Sequence, residues 1–219
     1  MKINPFYDAW DFLLGRTGDH GLAGPIVAWL LTLGFLALLV SSFGIAWRNW
    51  QDDPAQQTGR NLWIWFMRMI IGCMWFQGSI WKLPLPLSGG LQYWTSQEAE
   101  HAAFEWHRWI VTHILLPFLA VFDPIVYMTE LGLAVSFLLG FCVRPFAALG
   151  ILFTLQLWLG LYRHPGEWPW EYIFLIFTMG FFYLDAAGKS LGLDALIARA
   201  PFGPLKGETT IARLYRRYA

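Results

Sequence analysis

The sequence predicts an all-α integral membrane protein on three observations. Of its 219 residues, 57% are hydrophobic and 18% aromatic, while only 14% are charged, against about 25% in an ordinary soluble domain. The apolar residues gather in blocks near the roughly 20 residues that a helix needs to cross the hydrocarbon core. The few charges fall mostly between these blocks, in segments rich in Pro and Gly.

The first block, residues 21–47, contains no Asp, Glu, Lys or Arg and is expected to be span one. It follows mixed residues that include Asp8, Asp11 and Asp19, unlike the basic start of a cleavable signal, so it is expected to stay as an anchor. Residues 48–60, with Asp52, Asp53 and Pro54, read as a polar turn. Span two is expected over 61–82, interrupted by Arg68 and ended by Pro84, Pro86, Gly89 and Gly90. Residues 85–105 then form the polar part of a long loop. The apolar stretch 109–122 is short and contains Pro117, which suits an interfacial or re-entrant helix. Span three is expected over 124–143, span four over 145–162 and span five over 168–184, with Pro124 and Pro145 in first turns where no amide partner is lost.

Five spans put the termini on opposite sides of the membrane. Lys2, Arg16, Lys82, Arg108 and Arg163 fall on one side, and the other ten Lys and Arg residues on the other. The richer side is expected to be cytoplasmic, which places the N-terminus outside and the C-terminus inside. The tail carries Ile211, Leu214, Tyr215 and Tyr218 on one helical face, with Arg213, Arg216 and Arg217 elsewhere. That pattern suits an amphipathic helix on the inner leaflet, in contact with anionic lipid.

Ionisable residues inside a membrane are costly and are the first place to look for function. Arg68, Gly72, Trp75, Ser79 and Lys82 are spaced by four and three residues and share one helical face. Arg68 and Lys82 lie about 21 Å apart along it, and Glu130 and Arg144 are separated by the same fourteen residues. Opposed helix directions bring Lys82 to the depth of Glu130, with Glu171 a second candidate partner. Arg68 and Arg144 then share the inner end and would repel unless Asp185 sits between them. Such pairs serve either to hold the helices together or to carry chemistry.

This ladder resembles the DoxX family and its relative DoxD, the small membrane subunit of thiosulfate:quinone oxidoreductase. The matching residues are Arg68, Gly72, Gly78 through Leu83, Glu130 to Gly132, the step from Leu139 and Gly140 to Arg144, and Gly188 to Asp194. The resemblance covers about 61–194. It implies a four-helix DoxX-like membrane bundle there, with 1–60 adding an N-terminal transmembrane helix and a polar turn, and 195–219 forming a basic cytoplasmic tail. It also implies a bacterial or archaeal plasma-membrane subunit that helps pass electrons from a sulfur compound to quinone.

Lys82 and Glu130 offer a hydrogen-bond donor and a proton carrier for a quinone. Trp81, Gln156, Trp158 and Glu171 are candidate cofactor-binding residues, and Arg68, Arg144 and Asp185 candidate structural or anion-binding ones. Interfacial anchoring explains the tryptophans equally well. No metal or haem is expected: His101, His107 and His113 recur every six residues, and successive members share no helical face. The Gly188-Lys189-Ser190 triplet is no phosphate loop, because Tyr183 stands where a glycine is required. Cys73 and Cys142 lie in apolar blocks and read as small hydrophobes. A formal charge of zero gives no indication of nucleic acid. Expected partners are lipids and other subunits of a membrane complex, or further copies of the chain. Two other readings are an accessory subunit that assembles a larger respiratory or photosynthetic complex, docked through span one, and a small-anion transporter.

Overall fold

The computed structural model describes residues 25–200 and 209–218, and every regular element in them is helical. In chain order they are α1 (Pro25–Asp52), α2 (Gly59–Ile80), α3 (Gly89–His101), α4 (Glu105–Ile110), α5 (Leu119–Leu139), α6 (Val143–Gly160), α7 (Pro169–Leu184), α8 (Leu193–Arg199) and α9 (Thr210–Tyr218). Three of these are long and apolar enough to cross a membrane: α1 from Ile26, α5 and α6. The protein is therefore all-α with several long apolar helices. α7 is equally apolar but shorter, at 16 residues or about 24 Å. α2 is long enough, with 22 residues, but its polar ladder lowers its apolar character.

α1 shows why the apolar blocks fold as they do. Its buried positions are Ala28, Thr32, Phe35, Ser42, Ala46 and Asn49, at intervals of three, four and seven and all small or polar except Phe35. Trp29, Leu33, Leu36, Val40, Phe43 and Trp47 are exposed. Large apolar residues outward with small and polar ones inward is the arrangement lipid favours, because packing and hydrogen bonds, not the hydrophobic effect, hold helices together there.

Three expectations need correction. Residues 85–105 are not loop throughout, because α3 occupies Gly89–His101; Gly89 and Gly90 are its first two residues, and the Ser88 hydroxyl caps it by accepting from Leu91 N at 3.1 Å. The stretch 109–122 is not one helix: α4 passes into a π-helical turn at Val111–Leu115, and Leu119 onward belongs to α5. α5 begins five residues before Pro124, which lies inside it. Phe118 O accepts from Val121 N and Phe122 N and starts the helix upstream, so the proline costs one backbone bond.

The chain forms two compact units. Among the described residues, unit 1 comprises 25–37, Phe76–Leu131 and Leu157–Glu167, and unit 2 comprises Leu38–Trp75, Gly132–Gln156, 168–200 and 209–218. In unit 1, Phe35 stacks on Phe76 at 4.7 Å, and backbone bonds from Ala103 N to Leu159 O and from Arg163 N to His101 O tie its segments together. Unit 2 buries Leu133, Phe137, Leu138, Val143, Met179 and Phe182 completely. Gly72 permits close helix approach there, since a Cβ at that position would stand 2.8 Å from Leu138 Cγ.

Candidate functional site

Unit 1 holds the buried Lys82–Glu130 ion pair. Lys82 lies one turn past Gly78, so its Nζ donates to Gly78 O at 2.7 Å. The same ammonium donates to Glu130 Oε1 at 2.7 Å, lies 2.6 Å from Oε2, and sits 3.6 Å from the centre of the Trp81 ring. Lys82 and Glu130 are each 3% exposed. The ion pair is therefore almost dry, and the Trp81 ring adds a cation–π contact. A dry pair of this kind strongly resists loss of one partner, because the other is left as an uncompensated buried charge.

Two further carboxyls lie within electrostatic range of Lys82: Asp123 on α5 and Glu98 on α3. Asp123 is fully buried, and its Oδ2 accepts from Ser88 N at 2.5 Å, so the residue that caps α3 also holds the acid. Its Oδ1 is buried with no hydrogen-bond partner among the described residues. Glu98 is buried with Leu91 and Thr95 on the packed face of α3 and lies against Gly160, where a Cβ would meet its Oε2 at 2.9 Å. Asp123 stands seven residues before Glu130 and shares its face of α5, a spacing visible in the sequence, whereas Glu98 lies on a separate helix that no spacing connects to the cluster.

The remaining expected residues are distributed as follows. Trp158 is in unit 1 with its ring 5.9 Å from Tyr162, and its indole N–H has no partner among the described residues. Gln156 lies half-buried on α6 in unit 2, and Glu171 is exposed in the first turn of α7. His101 and His164 meet edge to face at 4.9 Å, and Trp94 lies 5.5 Å from His164. His107 is buried, and burial pushes its imidazole below the ordinary histidine range.

Unit 2 gathers the inner arginines differently from the expectation. Asp185 pairs with Arg60, not with Arg68 or Arg144. Arg144 Nε donates to Tyr183 O at 3.0 Å. Arg68 is fully buried and donates to two backbone carbonyls, Phe137 O and Ser190 O, each at 3.1 Å. Phe137 O lies in the last turn of α5, at the negative end of the helix dipole, so this guanidinium needs no carboxylate between it and its neighbour. Gly140, with φ of 68°, ends α5, and a Cβ there would overlap the Arg68 guanidinium.

Asp194, the last residue of the Gly188 to Asp194 run, completes the node. Its carboxylate accepts from Cys142 N at 2.9 Å and Val143 N at 3.3 Å, capping α6 across the turn, and from Tyr215 OH of α9 at 2.6 Å. Burial raises the Asp194 carboxyl, opposed by the bonds from Tyr215, Cys142 and Val143. Burial, reinforced by Asp194, pushes the Cys142 thiol up to about 11 and raises Tyr215 as well. Cys142 is thus a poor nucleophile. α9 is helical, with Leu214 exposed and Tyr215 donating to Asp194; the side chains of Ile211, Arg216, Arg217 and Tyr218, which complete the expected amphipathic pattern, lie outside the described residues.

The cluster in unit 1 sets a buried ammonium between a carboxylate and an aromatic face, whereas the node in unit 2 clamps backbone. No family model, curated protein or solved structure matches the chain.

Proposed function

We propose that the chain is the membrane subunit of a quinone-linked oxidoreductase, with the quinone headgroup handled at Lys82 and Glu130. The observation that carries this reading is the buried Lys82–Glu130 pair beside the Trp81 ring, joined by two more carboxyls. A quinone site needs an aromatic surface, polar groups for the ring oxygens and a group that gives or takes protons as the redox state changes. Trp81, Lys82 and Glu130 have those properties in one place, and Asp123 Oδ1 and Trp158 Nε1 leave unit 1 with unused acceptor and donor capacity. The quinone supplies the electron chemistry, and the protein supplies the dry, charged setting around it.

The DoxX-like run of residues supports the same reading and points to a sulfur compound as electron donor. The resemblance implies a bacterial or archaeal plasma membrane, and the Lys and Arg distribution supports Lys82 at the outer face and the C-terminus in the cytoplasm. The exposed aromatic face of α1 favours a second reading, an accessory subunit that docks into a larger complex through that helix.

The test is purification from the native membrane in mild detergent, with retained quinone and polypeptides identified and quinone reduction assayed for wild type and Glu130→Gln. Retained quinone, and turnover that falls at least about tenfold in an assembled variant, is the expected result. Unchanged turnover removes Glu130 from the chemistry. Loss of a partner polypeptide on altering Trp29 and Phe43, with turnover intact, selects the accessory role.

A further inference from the structure

A cavity of about 350 Å³ lies in unit 2 between the last turn of α1 and the short helix α8. Arg48, Asp52 and Arg199 supply its charged groups, and Leu193, Leu196 and Ile197 its apolar wall. The two helices are braced by Asn49, which is fully buried, donates to Gly192 O at 3.0 Å and accepts from Arg199. Arg199 is further engaged by Asp53 at 3.6 Å. Arg48 and Asp52 are much freer. Arg48 Nε donates to Asp52 Oδ2 at 3.4 Å, the one hydrogen bond that either side chain makes among the described residues, and the two are 71% and 53% exposed. An exposed pair of this kind holds its members weakly. Two guanidiniums thus face two carboxylates, so the cavity carries no excess charge of either sign, and its available groups are one guanidinium and one carboxylate side by side.

The surface next to those charges is apolar and shallow. Asp52, Arg48, Gly44 and Ser41 follow at intervals of four, four and three and share one face of α1. Gly44 and Ser41 are exposed, and a Cβ on Gly44 would meet nothing within 4 Å. Val40, Phe43 and Trp47 stand exposed along one side of them. The small residues therefore form a trough about 10 Å long that leads away from Arg48. α1 is long and apolar enough to cross a membrane, and Arg48 is the first charged residue after its apolar run. Charged side chains at such an end lie at headgroup level, with the apolar surface at the level of the acyl chains.

We propose that the cavity and trough bind a phospholipid whose headgroup carries a primary ammonium beside its phosphate, with the phosphate at Arg48, the ammonium at Asp52 and an acyl chain over Gly44 and Ser41. A guanidinium matches phosphate oxygens in geometry as well as charge. Balanced charge in the cavity suits a zwitterionic headgroup better than an anionic one, since an added anion would leave Asp52 unanswered. The carboxylate also distinguishes a primary ammonium from a trimethylated one, which has no N–H to donate. Leu193, Leu196 and Ile197 cover the first carbons of the chains. The site belongs to unit 2 and does not rest on the quinone reading.

The experiment titrates the purified full chain in detergent with phosphatidylethanolamine, phosphatidylcholine and phosphatidylglycerol of identical acyl chains, and reads bound lipid by native mass spectrometry. Phosphatidylethanolamine is expected to bind about three- to fivefold tighter than either of the others. Asp52→Ala should bring it down to the level of phosphatidylcholine, leave phosphatidylcholine unchanged and raise phosphatidylglycerol. Arg48→Gln should weaken all three through the phosphate. Gly44→Leu, which enters open space and leaves the charges in place, should also weaken all three while keeping their order. Equal binding of the three lipids to wild type overturns the proposal, as does tighter binding of phosphatidylglycerol. A preference for phosphatidylethanolamine that survives Asp52→Ala overturns it too, by placing the headgroup elsewhere on the protein.

Discussion

Arg68, within α2, and Lys82, just past its end, are both buried cations, and their charges are met in different ways. Lys82 meets a side-chain carboxylate, at 2.7 Å from Glu130 Oε1, with Asp123 and Glu98 near by. Arg68 meets backbone, at 3.1 Å from Phe137 O and from Ser190 O. A carboxylate can take a proton and lose its charge, and a carbonyl cannot. The Lys82 cluster therefore has more than one charge state within reach, which is what proton-coupled chemistry requires. Arg68 itself has a single one, because guanidinium stays protonated and the carbonyls it donates to do not titrate; the titratable group of its node is Asp194, which binds the amides of Cys142 and Val143. That fixity suits a clamp between the end of α5 and the turn before α8.

The contrast predicts unequal consequences of deletion. Arg68→Met strands two buried carbonyls that have no other recourse, and it should cost about 3–5 kcal/mol, since each bond to a charged group contributes roughly 1.5–3 kcal/mol. A thermal melt in detergent should show this loss at every pH between 5 and 8. Lys82→Met should cost less, about 2–3 kcal/mol, because Glu130 can escape an unpaired buried charge by binding a proton. The loss should deepen with rising pH, and a second substitution, Glu130→Leu, should recover most of it, because a buried ion pair replaced by apolar residues of similar volume is often neutral in stability. A pH-independent Lys82→Met penalty, or no recovery in the double variant, would erase the distinction between the two nodes.

Legibility divides along the same line. The α2 ladder is readable because Arg68, Gly72, Trp75, Ser79 and Lys82 recur at helical spacing, and Lys82 meeting Glu130 follows from matching fourteen-residue separations on neighbouring spans. The long apolar helices α1, α5 and α6 are readable from length and composition, though α5 starts upstream of Pro124 because Phe118 O nucleates it first. α3 escapes because Gly89 and Gly90 look like breakers unless Ser88 is recognised as a cap. The partners of Arg68 escape for a different reason. They are backbone carbonyls, which every residue carries, so no residue type marks them; Asp185 is charged and conspicuous, yet it pairs with Arg60. Asp194 also meets backbone, at the amides of Cys142 and Val143, besides the Tyr215 hydroxyl, and Asp123 meets Ser88 N, so those amide partners carry no residue-type mark even though Asp123 stands two turns before Glu130 on α5.

The smallest expected effect separates the units by pH through His107. Burial holds this imidazole below its ordinary value in the folded protein, so the unfolded chain binds the proton first as pH falls. Stability from this residue is complete above the unfolded value near 6.5 and is lost as pH drops from there through the folded one. Its buried Nδ1 has no hydrogen-bond partner among the described residues, so nothing there compensates the charge once it forms. Wild-type protein should lose on the order of 1 kcal/mol or less on acidification from pH 7 to 5 through this group. His107→Gln should flatten that slope without moving the pH 7 melt by more than about 1 kcal/mol. Hydrogen exchange locates the effect: amides of α3 and α4 in unit 1 should open first at low pH, while those around Arg68 should keep their protection. Equal acid opening around Arg68 would mean that His107 does not set the slope, and that both units answer to a titration shared between them.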